Sequence, residues 1–351
     1  MFEPMGAGPK NIINLKEKQK MKKRLFELVV CLSAAVMIVG LTVIPVQAKD
    51  LRVALLLSGP ANDGGWNAIA LKGLKNAEKK YGIEIAYTEH VSVADAESAF
   101  MDYAAQNYDL IIGHGFQFGE PAVRVGKRFP NVKFVAIEAN SYSENTASYR
   151  IAVEESGYLM GIIAASMSQS GVIGIVGGME VPSIVKGLEA FKLGAKSYRE
   201  DIQILESYLG SFTDVAKGKE AAMAMIDQKA DVLSHVANQA GTGVIKAAES
   251  RGVLATGDSW DQNVIAPETI ICSNIYNVPN LVVNIIQLVR DGKFKGGIFD
   301  QGMSDHVVDL APYHQFEDRI PEKARNEVAR LKKKIMGGSF TVPLIEKRTG
   351  N

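Results

Sequence analysis

The chain has 351 residues, room for two domains of ordinary size, and its 47% hydrophobic and 22% charged residues exclude disordered and fibrous classes. Its 39 basic and 39 acidic residues balance. The first 48 residues carry seven Lys or Arg and three Asp or Glu, so the remainder holds 32 basic and 36 acidic groups, a net charge of −4 that argues against a nucleic-acid partner.

The first segment reads as an address. A basic cluster, "KQKMKKRLFE", precedes the apolar stretch "LVVCLSAAVMIVGLTVIPVQA", which ends at Val46-Gln47-Ala48. A small residue at the last position and a small apolar one two before it suit a signal peptidase, and the helix-breaking Pro45 falls where such a leader wants it. Residues 1–48 are therefore expected to be a cleaved signal peptide with Met21 as a possible true start. A membrane anchor is the alternative, because the run is about as long as a bilayer span requires. Val30 stands before Cys31 where a lipobox needs a small residue. Cleavage after Ala48 leaves Cys272 as the single cysteine, so no internal disulfide is expected.

Beyond the leader the pattern is strand, turn, helix, repeated. "LRVALLL" reads as a buried parallel strand and "WNAIALKGLKNAEKKYG" as an amphipathic helix closed by Gly82. "IEIAYTEHV", a helix through "DAESAFMDYAAQN", "YDLIIGHG", the helix "EPAVRVGKRFP", "VKFVAIEA" and an edge strand "SYRIAV" follow. A second cycle starts with the helix "ESGYLMGIIAASMSQ" and runs through "GVIGIVGG", "IQILESYLG", "ADVLSHVA", "GVLATGD" and "TIICSNI". This alternation predicts an α/β fold of two doubly wound parallel-sheet lobes. Lobe 1 is expected to span 49–153 plus about 279–310, and lobe 2 154–278 plus about 311–351, with a ligand cleft between them.

Ligands of open parallel sheets bind beyond the C-terminal ends of the strands, so the loops there list the candidate site. They are "GPANDGGWN", "GHGFQFGEP" and "EANSYSE" in the first lobe, and "GGMEVPS", "GSFTDVAKG", "HVANQAGTG", "GDSWDQN" and "NIYN" in the second. "GVIGIVGGM" is glycine-rich, but Gly171 and Gly174 lie at or inside the strand with the wrong spacing for a dinucleotide fingerprint. "GKE" at 218–220 lacks the rest of a P-loop. The five histidines have no metal-binding spacing, so no metal and no cofactor are expected. His114 and His235 each end a strand; cleft contact and satisfaction by backbone remain equal readings.

Aromatics recur at these ends: Trp66, Phe116, Phe212 and Trp260. A flat heteroaromatic ligand between two such rings gains roughly 1–3 kcal/mol per stacked base. Asp63, Asn67, Glu120, Asp214, Asn238, Asp258 and Asp261 supply amides and carboxylates that could read ring nitrogens and exocyclic groups.

Eight ordered blocks, "DGGWN", "GHGFQF", "KFVAIEAN", "ESGYLMGIIAA", "GIVGGMEVPSIVKGLEAFKLGAK", "GSFTDVAKGKE", "HVANQAGTGVIKAAESRG" and "GDSWDQN", resemble the basic membrane protein family of ABC-transporter substrate-binding proteins, which includes purine nucleoside receptors. The resemblance runs from about Leu51 to Leu310. It implies a type I periplasmic-binding-protein fold with two hinged lobes joined by three crossings. It also implies Trp66 and Phe212 as the two stacking aromatics, Asn67 and Asp63 beside the first, and Glu120 as an acid for the base edge. Asp258 or Asp261 takes the place of the acid for sugar hydroxyls. Where nucleoside-binding relatives usually carry Lys, "SNIYNV" puts Tyr276, and together with Trp260 this narrows the expected sugar pocket in favour of a free purine base. The resemblance implies an extracytoplasmic (periplasmic), monomeric receptor that delivers a purine base such as adenine or hypoxanthine, or a nucleoside, to an ABC permease. A ligand sensor for a membrane signalling partner is one alternative. A nucleoside hydrolase is another, but it needs more clustered acids than "DSWDQN" offers.

Overall fold

The computed structural model describes residues 17–24 and 51–348. The expected cleavage site and the whole apolar stretch 28–48 lie outside the described residues. Residues 17–24 are helical and exposed, and no helix among the described residues is long and apolar enough to cross a membrane.

From Leu51 onward the chain builds two six-stranded sheets. In the first, β1 (Arg52–Leu57) lies between β2 (Glu84–Thr88) and β3 (Leu110–His114), followed outward by β4 (Lys133–Ile137), β5 (Thr146–Ile151) and β11 (Gly297–Gln301). All pairings here are parallel. Burial on both faces explains the unbroken apolar runs. On β1, Val53, Leu55 and Leu57 point to one core and Ala54 and Leu56 to another, the period-two alternation of a strand between two helix layers. Helix α1 (Trp66–Tyr81) covers one face and α2 (Ala96–Ala105) and α3 (Gly119–Gly126) the other. Gly82 ends α1 in the left-handed conformation at φ 66°, with its N–H on Glu78 O at 2.8 Å.

The second sheet orders β12 (Val308–Leu310), β10 (Ile270–Tyr276), β9 (Leu254–Gly257), β8 (Val232–Val236), β6 (Val172–Gly177) and β7 (Gln203–Tyr208). Its helices are α4 (Val153–Met167), α5 (Pro182–Tyr198), α6 (Val215–Asp227) and α7 (Gly241–Arg251), with α9 (Glu322–Met336) packed on α4. Helices α4 and α5 touch through glycine. A Cβ on Gly161 would sit 2.0 Å from Phe191 O, and one on Gly194 1.9 Å from Tyr158 O, so only glycine permits this backbone approach.

The chain passes between the sheets three times: from β5 into α4, from β10 into α8 (Val278–Arg290), which packs on α1, and from β11 to β12. Two expectations are corrected here. The strand over "SYRIAV" is not an edge, because β11 arrives from a distant part of the sequence to cover β5. Residues 308–310 belong with the second sheet, where β12 pairs antiparallel with β10; the last passage therefore lies between 302 and 307 rather than at 310.

Candidate functional site

A cavity of about 460 Å³ opens where the C-terminal ends of the two sheets face each other. The first sheet contributes the loops after β1, β2, β3 and β4, and the second those after β6, β7, β8 and β9 together with Tyr276 at the end of β10. Trp66 is the first residue of α1 and half-buried. One face of its indole stacks on His114 with ring centroids 3.9 Å apart and planes 20° off parallel. His114 Nε2 lies 2.9 Å from Trp66 O, so that nitrogen carries the proton. Burial pushes this imidazole down to about 3, against smaller upward pulls from that bond and from Asp63. His114 is thus a neutral backing plate for Trp66, satisfied by backbone on one nitrogen and absent from the cavity wall. His235 is also fully buried beneath the site, with Nε2 3.1 Å from Gln262 Oε1.

Asp63 has a different place from that expected of a ligand acceptor. Its carboxylate accepts from the N–H groups of Gly65 (2.9 Å), Asn67 (3.0 Å) and Ala68 (3.0 Å), and from the Asn67 side chain (2.9 Å). It holds the open N-terminus of α1, the end a carboxylate suits best. Burial works to raise its pKa, but the Asn67 N–H, the Asn238 side chain and the other two N–H groups outweigh it and hold it below the ordinary range. Asn67 lines the cavity beside Trp66.

Asn238 ties the lobes together. From the loop after β8 it donates to Asp63 Oδ2 at 3.0 Å and accepts the Trp66 N–H at 3.0 Å. Its backbone sits at φ 48°, a left-handed conformation asparagine tolerates. Gly65 has no side chain to spare here, since a Cβ would meet Asn238 Oδ1 at 2.2 Å.

Phe212 lines the second-lobe side of the same cavity. Its ring lies against Gly178, where a Cβ would come within 2.4 Å. This gives the glycines of "GVIGIVGGM" a role: the last of them makes room for an aromatic wall. Phe116 also lines the cavity and is 43% exposed. Asp258 and Tyr276 close its floor, with the Tyr276 hydroxyl donating to Asp258 Oδ1 at 2.8 Å.

Four further candidates are not brought into the cavity; one is Asp214, whose carboxylate caps α6 by accepting the Lys217 N–H at 3.0 Å. Glu120 is exposed on α3 and accepts from the Ser141 hydroxyl. Asp261 faces away, accepting from the Asn263 N–H at 3.2 Å with His314 Nε2 2.7 Å from its other oxygen. Trp260 is half-buried outside the cavity wall. Of the two acids left open in "GDSWDQN", Asp258 is the one at the cavity. Glu138, Met179, Ser183 and Gln117 also line it and were not singled out from sequence. Glu138 had one available sign, its place as the first residue after a buried strand; it adopts φ 64° and turns the chain there.

Two mostly parallel-sheet lobes crossed three times, with a ligand-sized cavity between their strand ends, define a type I periplasmic-binding-protein fold. The comparisons with known proteins give the family: the chain belongs to the Bmp family of PnrA-like ABC transporter substrate-binding proteins, whose model matches residues 51–346. It is 31% identical over 306 residues to a purine-binding protein of Brucella abortus, covering 86% of each chain. It is 30% identical over 318 residues to the ABC transporter nucleoside-binding protein BmpA of Lactococcus lactis, covering 84% of this chain and 89% of that protein. Among solved structures it is similar to an ABC transporter solute-binding protein of Aeropyrum pernix K1, with TM-score 0.77 and 27% identity over 84% of this chain and 94% of that one.

Proposed function

We propose that this protein is the extracytoplasmic receptor of a purine uptake system. It captures a purine base or nucleoside between Trp66 and Phe212 and delivers it, as a monomer, to an ABC permease. Export by a leader cleaved after Ala48 belongs to the same reading. The observation that carries it is the pairing of two aromatic side chains, one from each lobe, on the walls of one cavity. Asn67, Asn238 and Asp258 on the same walls offer the hydrogen bonds that a heterocycle needs for orientation. Relatives named for purine and nucleoside binding support the ligand class.

Isothermal titration with adenine, hypoxanthine, adenosine and inosine tests the reading. Saturable one-to-one binding of at least one of them, without turnover, is the expected outcome. Hydrolysis of inosine would instead favour an enzyme, and silence with all four would remove the purine.

A further inference from the structure

Charge is unevenly shared around the cavity. Among the described residues its ionisable walls are the carboxylates of Glu138 and Asp258 and the Tyr276 phenol; no Lys, Arg or His lines it. Glu138 has its counter-charge. Lys186 Nζ lies 3.4 Å from Glu138 Oε2, and Oε1 accepts the Ile151 N–H.

Asp258 has no such partner among the described residues. Its Oδ1 accepts from the Tyr276 hydroxyl at 2.8 Å and from the Asn274 amide at 3.4 Å, and its Oδ2 from the Ser259 hydroxyl at 2.8 Å. All three donors are neutral. The neighbouring imidazole, His235, is fully buried and held uncharged by that burial. Asp258 itself is 3% exposed. Burial raises its pKa, against opposing effects of His235 and the three hydrogen bonds.

A buried carboxylate with neutral partners repels anions and is relieved by a cation brought beside it. The aromatic walls act in the same direction, because the faces of Trp66, Phe116 and Phe212 attract positive charge. We propose that the preferred ligand is a purine-like heterocycle carrying a positive charge, with Asp258 as its counter-ion, and that phosphorylated forms are rejected. The proposal rests on the cavity being the ligand site described above, and it goes beyond the base sandwich by setting ligand charge.

The test is calorimetry at neutral pH with pairs matched in shape and differing in charge. Adenosine is compared with 1-methyladenosine, cationic on the ring, and with 5′-amino-5′-deoxyadenosine, cationic on the sugar. Nicotinamide and 1-methylnicotinamide form a pair outside the purines, and AMP supplies the anion. In at least one pair the cation should bind roughly tenfold or more tightly than its neutral partner, with AMP weakest of the adenosine series. Asp258→Asn should bring that pair to within about threefold. Tyr276→Lys, which sets an ammonium near Asp258, should do the same and decides the matter if Asp258→Asn does not fold. Neutral members that bind as well as the cations in every pair, no binding in any pair, or a preference that survives both folded variants would overturn the proposal. Preference for 1-methylnicotinamide over nicotinamide with no purine bound would sustain charge selection while removing the purine reading. Tight adenosine binding with no gain for any cation would do the reverse.

Discussion

Trp66→Ala is the perturbation that separates a ligand wall from a core residue. The indole is half-buried, with one face on His114 at 3.9 Å, and it lines the cavity. Removing it takes away one stacking surface for a bound base, worth roughly 1–3 kcal/mol, or about 5- to 150-fold in affinity. It also removes the ring pair with His114, worth about 0.5–1.5 kcal/mol, plus the part of the indole packed on the core. The expected stability loss is therefore about 2–3 kcal/mol, below the roughly 3–5 kcal/mol that truncating a fully buried Trp costs. Calorimetric titration and a thermal melt on the same variant read the two effects separately. A stability loss in the full-burial range with unchanged purine affinity would refute the reasoning, since the ring would then belong to the core alone.

Asn238→Ala removes two hydrogen bonds between the lobes, one of them to the Asp63 carboxylate. The free protein should open, with a larger radius of gyration by small-angle scattering, and ligand release should speed up by about tenfold or more; an unchanged radius and off-rate would show that the contact is incidental. His114 gives a pH dependence. Its folded pKa near 3 lies below its unfolded value of 6.5, so its neutral burial favours the native state fully above pH 6.5. That contribution is lost as pH falls from 6.5 toward 3, with a slope of about 1.4 kcal/mol per pH unit. His114→Phe should flatten the stability profile in this window, and chemical denaturation across it checks the slope; an identical slope in the variant would mean that His114 is charged or exposed in the native state.

The alternation of strands and helices was legible because a parallel strand buried on both faces has to be apolar throughout, as "LRVALLL" is. The loops of the site were legible for the same reason, since they begin where those runs stop. Side-chain direction was not. Asp63 and Asp261 sit in loops that reach the site, yet one carboxylate turns back onto the N-terminus of α1 and the other toward His314. Glu138 was hidden in "VAIEAN" because a single left-handed residue leaves no pattern. Strand β12 has three residues, too few for a period to show, and β11 covers β5 across a separation of 146 residues or more that local pattern cannot span. Glycines serve packing in two places. "GVIGIVGGM" has the composition of a phosphate loop but serves to seat Phe212, while the glycines of "ESGYLMG" and "KLGAK" let α4 meet α5.

A crystal structure of the protein grown with adenosine tests the central claim most directly. The account predicts a purine ring lying between the indole of Trp66 and the phenyl of Phe212, with the lobes drawn together by Asn238 on Asp63. A purine bound elsewhere, or a Trp66 indole that makes no contact with it, would contradict the account.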